Sequence, residues 1–159
     1  MAEHLRLARL FWLLLAIFTI GRLAMTHLPY ATFHHVFSLV TLTAFATIFY
    51  GAFTRRWKDY RVLQAMTLGA ILGFSAQVVI FTATMVSYAL GIDTYFTNPR
   101  AILGFNAPPD PVPFMDALLR RSGGLVGNTI TAAIMGALGW VMGGLLPAEK
   151  PKGQGPTAA

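Results

Sequence analysis

The residues of this sequence that most readily suggest chemistry are two adjacent histidines, His34 and His35, in the segment "ATFHHVFSLVT". Neutral imidazole binds transition metals and haem iron, and it carries protons near neutral pH. Successive residues of a helix point about 100° apart, so both rings cannot face one centre. At most one of the two histidines is therefore expected to make a functional contact.

A metal or haem site would need further ligands, and the sequence offers few. His27 precedes the histidine pair, and Asp93 is the one obvious additional donor to His27, His34 and His35. A zinc site uses three or four protein ligands, and a membrane haem normally uses facing histidines from two helices. We expect no metal and no cofactor, with these four residues as weak candidates for a metal.

Arg22 is the most informative single residue, because it lies at the end of an apolar run. A guanidinium inside the bilayer costs about 2–3 kcal/mol on insertion scales. The cost can be offset by snorkelling outwards, by pairing with Asp93, or by binding a lipid phosphate through the guanidinium fork. Together with His34, His35 and Asn128, Arg22 is predicted to form a site for a ligand or lipid head group, anionic or quinone-like.

Signatures of enzymes are absent from the sequence. There is no cysteine, and no glycine-rich phosphate loop, H-E-x-x-H or G-x-S-x-G motif occurs. No Asp or Glu lies inside a predicted span, so paired carboxylates for acid-base chemistry are missing as well. We predict that the protein is not an enzyme and has no catalytic residues.

The composition identifies the elements that must position these side chains. Hydrophobic residues make up 55% of the 159 residues and charged residues only 11%, whereas soluble domains carry about 25% charged residues. The net charge of +6 comes from cations that flank apolar runs, which is typical of membrane helices and not of a nucleic-acid-binding surface. The sequence predicts an all-α integral membrane protein with no nucleic-acid partner.

Four apolar segments, 8–27, 31–53, 62–90 and 122–147, are each long enough to cross a hydrocarbon core, which takes about 20 helical residues. Short connections predict four transmembrane helices in an antiparallel bundle, forming one domain over residues 1–147.

Cations predict the orientation of the bundle. Arg55, Arg56, Lys58 and Arg61 lie between the second and third spans, which makes this loop and both termini cytoplasmic by the positive-inside rule. Residues 91–121 then form an extracytoplasmic loop, and residues 148–159 form a disordered cytoplasmic tail. The predicted location is the cell (cytoplasmic or inner) membrane.

The end of the long loop has a helical pattern. After Pro113, apolar residues including Phe114 and Leu118 fall on one face, while Asp116 and Arg120 fall on another. This pattern predicts a short interfacial amphipathic helix before the fourth span; the alternative is a few extra turns of that span.

Small residues predict how the helices associate, because membrane helices pack through close contact and interhelical hydrogen bonds. The residues predicted to pack helices are Gly69, Gly73 and Gln77 in the third span and Gly123, Gly127, Gly136, Gly139 and Gly143 in the fourth.

The sequence has many small residues suited to helix packing and no motif typical of catalysis. It therefore predicts an accessory or structural subunit that joins an oligomer or a larger membrane complex. Its expected partners are membrane lipids and either other membrane subunits or copies of itself. One alternative is an oligomeric channel or transporter with a path lined by Thr84, Ser87, Gln77 and Asn128. A second alternative is a metal- or haem-binding redox subunit that uses His27 with His34 or His35.

Overall fold

A computed structural model describes residues 2–30 and 35–145 of the chain. The helices are α1 (Ala2–Ala24), α2 (Leu39–Lys58), α3 (Val62–Leu90), α4 (Pro99–Leu103) and α5 (Phe114–Leu145), with one 3-10 turn at Tyr95–Thr97. The described residues contain no β-strand, so the all-α prediction is confirmed for them.

Within the described residues, three helices are long and apolar enough to cross a membrane, namely Glu3–Ala24 within α1, α3 and α5. The helix α2 is not among them, because threonines and the basic residues of its last turn lower its hydropathy. The structure therefore supports a helical membrane protein with three candidate spans. Within the predicted span 31–53, the described helix begins only at Leu39.

The boundaries of α2 and α3 follow from local hydrogen bonds. The Ser38 hydroxyl caps α2 by accepting a hydrogen bond from the backbone N–H of Thr41 at 3.3 Å. Asp59, with a left-handed φ of 52°, ends α2. The α3 helix starts where the Gln64 side chain accepts a hydrogen bond from the N–H of Arg61 at 2.8 Å. Because only residues 59–61 separate them, α2 and α3 are neighbours.

The contact between α3 and α5 is made through small residues. A methyl group added at Gly136 would lie 2.7 Å from the carbonyl oxygen of Ala65, and one added at Gly69 would lie 2.5 Å from that of Ala132. Residue numbers therefore rise along α3 as they fall along α5. Any larger side chain at these two glycines would push the helices apart.

The contact between α2 and α5 uses the next two glycines of α5. Gly139 lies against the backbone of Ile48, and Gly143 lies against that of Ala52. Residue numbers rise together along these two helices, so α2 and α5 run in the same direction. The helix α5 thus fills the groove between α2 and α3.

Trp140 connects α5 to the turn between α2 and α3, at the end of the helices opposite residues 91–113. Its indole N–H donates a hydrogen bond to the carbonyl oxygen of Tyr60 at 2.6 Å. The Arg55 guanidinium carbon lies 3.7 Å from the centre of the Trp140 ring, in a cation–π contact. The turn between α2 and α3 is therefore bound directly to α5.

The first helix packs mainly on α3, with fewer close approaches than the other three. Ala8, Phe11 and Leu15 are buried, and the Trp12 indole N–H donates a hydrogen bond to the Ser75 hydroxyl at 3.1 Å. The opposite face of α1 is exposed and apolar, as expected of a helix that contacts lipid.

The separate interfacial helix predicted before residue 122 is wrong, because α5 is continuous from Phe114. The N–H of Ala117 already donates a hydrogen bond to the carbonyl oxygen of Pro113 at 3.0 Å, and no proline interrupts the helix after it. Ala117 is fully buried whereas Phe114 and Leu119 are exposed, so the apolar stripe predicted here faces outwards. At 1.5 Å per residue, α5 is about 48 Å long, and its first turns extend beyond a hydrocarbon core of about 30 Å.

Candidate functional site

Arg22 lies in the last turn of α1, at the end of the helices that meets residues 25–30 and 91–113, which we call the loop end. Its side chain turns inwards and only 3% of the residue is exposed. The Nε group donates a hydrogen bond to the carbonyl oxygen of Phe37 at 2.9 Å, while Asp93 is exposed. The first of the three alternatives given for Arg22, snorkelling outwards, is therefore wrong.

Gly21 makes this approach of Phe37 possible. A methyl group at Gly21 would lie 2.7 Å from the Phe37 ring, so a larger residue would displace the segment that presents the Phe37 carbonyl. The ring of Phe18 meets that of Phe37 edge-on, with centroids 5.4 Å apart. These contacts of α1 hold the carbonyl in front of Arg22.

Two tyrosines complete the surroundings of Arg22. The Tyr95 ring lies 4.0 Å from the Arg22 guanidinium carbon, and Tyr30 stacks on Tyr95 with centroids 5.1 Å apart. Burial raises the pKa of the Tyr95 phenol, and its hydrogen bond with Tyr30 adds to the shift. Tyr95 therefore stays neutral at physiological pH and can donate or accept a hydrogen bond.

Arg121 reaches the same place from α5. Its Nη2 group donates a hydrogen bond to the carbonyl oxygen of Phe96 at 3.0 Å. Its Nε group is buried and has no hydrogen-bond partner among the described residues. A buried donor without a partner is costly, so Arg121 has a binding capacity that the described part of the chain leaves unused.

Both arginines line one cavity of about 190 Å³. The other lining residues are Tyr30, Ser38, Leu39, Val40, Ile80, Tyr95, Phe96 and Ala101. The described lining therefore contains two arginines and no Asp or Glu. Such an arrangement suits the binding of an anion by charge-assisted hydrogen bonds.

The structure does not bring the other predicted ligand residues to this cavity, as far as it describes them. His35 is exposed in the turn before α2, and Asn128 is exposed on α5. His34 lies outside the described residues.

His27 and Asp93, two of the weak metal candidates, line a separate loop-end cavity of about 640 Å³. Both are exposed, and no group of three His, Asp or Glu side chains that could hold a metal ion occurs within residues 2–30 and 35–145. The Tyr88 hydroxyl spans the wall of this cavity and donates a hydrogen bond to the carbonyl oxygen of Val112 at 2.7 Å.

The glycines predicted to pack helices fall on two sides of α5. Gly136, Gly139 and Gly143 contact α2 and α3, whereas Gly123 and Gly127 have no described atom within 4 Å of an added methyl group. Gly127 and Gly136 are nine residues apart, which is half a turn of rotation at 100° per residue. The five glycines of α5 that are predicted to pack helices therefore lie on two opposite faces.

Gln77 and Asn128 differ in burial although both are amides of membrane-length helices. Gln77 is buried, and its Oε1 lies 3.6 Å from a methyl group placed on Gly124. Asn128 is exposed, and its Nδ2 lies 3.5 Å from the same methyl group, but its side chain makes no hydrogen bond to another described residue. On α3, Gly73 lies against Ala132 and the backbone near Asn128.

No family model, no curated protein and no solved structure matches this chain. The roles of its residues must therefore be argued from geometry. Sequence reasoning missed Arg121 and Tyr95 as site residues. The packing face of α5, followed back from Gly136 through Ala132 in steps of three and four, arrives at Arg121, and that signal could have identified it.

Proposed function

We propose that this chain is a small non-enzymatic membrane protein that acts as an accessory or structural subunit and binds a helix of another membrane protein or of a second copy. The observation that carries the proposal is the open face of α5, defined by Gly123, Gly127, Thr131, Ile134 and Leu138. All five residues are exposed. A membrane-length helix with an unpacked small-residue pair has a surface suited to another helix.

The physical reason lies in how membrane helices associate. Lipid chains are as apolar as leucine, so association depends on close backbone approach and on hydrogen bonds between helices. Gly123 and Gly127 permit such an approach. Asn128 borders them with an amide that lacks a partner among the described residues, and an unpaired amide at membrane depth is costly.

A groove extends the open face at the loop end. It has a volume of about 520 Å³ and is lined by Leu103, Asp116, Leu119, Arg120, Gly123 and Gly124. Exposed leucines with one acidic and one basic side chain suit a protein partner, because they offer both apolar area and a charge pattern.

The proposal includes the four-span antiparallel topology, with both termini on the cytoplasmic side of the cell membrane. Two observations support it: α3 runs opposite to α2 and α5, and the cations Arg55, Arg56, Lys58 and Arg61 gather at the α2–α3 turn. The close contact of Gly69 with Ala132 leaves no room for a water path between α3 and α5, which disfavours a channel within one chain.

Native mass spectrometry of the full chain, purified in a mild detergent, tests the proposal. We expect a homo-oligomer or a complex with another membrane protein. Gly127→Leu should weaken that association at least about tenfold, since close helix approach is lost. Thr82→Leu, at an exposed position of α3, is the matched control and should leave association unchanged. A wild-type chain that is monomeric and without a partner contradicts the proposal.

A further inference from the structure

The geometry points to a phosphate-binding site in the 190 Å³ cavity between Arg22 and Arg121 at the loop end. The ligand chemistry is a phosphate oxyanion, carried either by a phospholipid head group or by free inorganic phosphate. This inference is independent of the open face of α5, which lies on another side of the molecule.

Charge is the first argument for the site. Arg22 is 3% exposed, and Arg121 is partly buried at the same cavity, whose described lining contains no carboxylate. Removing guanidinium groups from water is unfavourable unless opposite charge and hydrogen bonds compensate them. A phosphate anion provides that charge, and it also provides several acceptor oxygens that fit guanidinium forks.

Unused donors are the second argument. The Nη2 group of Arg121 is engaged by the Phe96 carbonyl, while Nε is buried and without a partner among the described residues. Tyr95 and Ser38 also line the cavity. The cavity volume is well above the about 15 Å³ that a single water needs, so a group of several heavy atoms can enter.

The level of the cavity in the membrane is the third argument. Arg22 ends the candidate span Glu3–Ala24, and α5 continues for about 36 Å from Arg121 to Leu145 at 1.5 Å per residue. This length exceeds the about 30 Å of a hydrocarbon core. Both arginines therefore lie at the depth of lipid phosphates. Val40, which is 64% exposed, forms one wall and would contact a lipid chain below the head group.

Two titrations of the delipidated, detergent-purified full chain distinguish the sources. Native mass spectrometry compares phosphatidylglycerol with diacylglycerol of the same acyl chains, which lacks the phosphate. Calorimetry compares sodium phosphate with sodium chloride. At least tenfold preference for phosphatidylglycerol assigns a lipid head group, and saturable binding of sodium phosphate assigns the free anion. Absence of both effects overturns the inference.

Variants of the arginines locate the site. Arg121→Gln should weaken binding of the preferred ligand at least about tenfold, because a charged hydrogen-bond donor is lost. Arg121→Lys should give an intermediate loss, since it keeps the charge without the fork. Arg120→Gln is the matched control, because Arg120 is exposed on the same turn and should change binding less than about twofold. An equal loss in both Gln variants overturns the inference.

A second pair of variants keeps both arginines in place. Ala101→Phe fills the cavity from the short helix α4, whereas Leu103→Phe enlarges an exposed residue of the same helix. We expect Ala101→Phe to lose at least about tenfold in affinity and Leu103→Phe to bind as the wild type does. Wild-type affinity in the Ala101→Phe variant overturns the inference even where Arg121→Gln does not fold.

Discussion

The two faces of α5 use glycine for different purposes. On the inner face, Gly136, Gly139 and Gly143 let the backbones of α2 and α3 come into contact. On the open face, Gly123 and Gly127 meet no described atom within 4 Å. The difference teaches that glycine spacing identifies a contact surface of a membrane helix but does not say whether the partner belongs to the same chain.

Polar side chains that pack inside the bundle differ from Asn128 in the same way. The buried Thr54 hydroxyl of α2 donates a hydrogen bond to the Tyr50 carbonyl of its own helix at 2.7 Å, and the buried Thr43 hydroxyl donates one to the Leu39 carbonyl. These hydroxyls are satisfied locally and need nothing from a neighbour. Asn128 lacks such a bond among the described residues. Its amide is therefore available to another helix.

The largest expected effect is a difference in the free energy of unfolding between a variant of the inner face and a variant of the open face. Gly139→Leu places a side chain into the backbone of Ile48, so we expect a loss of at least about 3 kcal/mol in the free energy of unfolding. Thermal unfolding in detergent measures it. Gly127→Leu is the matched variant and should not lower the free energy of unfolding, because the side chain has space and leucine is a better helix former than glycine. Equal losses in the two variants would remove the distinction between the faces.

A smaller effect of opposite sign is expected on the open face. Gly123→Ala should raise the free energy of unfolding of the monomer by about 0.5–1 kcal/mol, because alanine is the better helix former and has space there. The same change should weaken association with a partner. Gly136→Ala is the control and should destabilise, since its methyl group meets the Ala65 carbonyl oxygen.

The contribution of Asn128 should be smaller still. Asn128→Leu removes the amide that we propose bonds the partner helix, and interhelical hydrogen bonds contribute about 0.6 kcal/mol on average in membranes. Association measured by dilution in detergent should weaken about threefold. Gln77→Leu serves as the comparison at a buried amide, and it should affect folding more than association. Stronger association of Asn128→Leu would show that the open face is not a polar contact.

The last prediction concerns Tyr95 at the loop end, where the expected effect on stability is smallest at neutral pH. Because the pKa of Tyr95 is raised in the folded protein, its contribution to stability is complete below the ordinary tyrosine pKa of about 10. Above that pH the unfolded chain loses the proton first, so stability falls as pH rises. Tyr95→Phe should flatten this alkaline loss, whereas Gly127→Leu should not. An unchanged alkaline slope in Tyr95→Phe would assign the loss to other groups.

Much of the fold was predictable from the sequence because hydropathy depends on local composition. Helices cover most of 8–27, all of 62–90 and most of 122–147, and Gly69 and Gly136 lie in the helix contact for which their spacing argues. The two faces of α5 also follow from the 100° rotation per residue, which puts Gly127 and Gly136 on opposite sides of the helix. Pairs of small residues at spacing four do not by themselves show this rotation.

The placement of Arg22 and Arg121 around one cavity was not predictable from the local sequence pattern. It depends on the inward turn of the α1 terminus, which requires Gly21 to admit Phe37. It also depends on the rotation of α5, which Gly136 and Gly139 set from the distant half of the helix. Tertiary packing of residues far apart in sequence determined the site.

Among the described residues, α5 fills the groove between α2 and α3, through Gly139 at Ile48 and Trp140 at Tyr60. During synthesis, therefore, the earlier helices enter the bilayer with a vacant slot between them. A ribosome that stalls before residue 114 leaves a product without its central contact, and such a product is a substrate for membrane quality control. The close contacts of α2 and α3 with α5 can form only after residues 114–145 have been made.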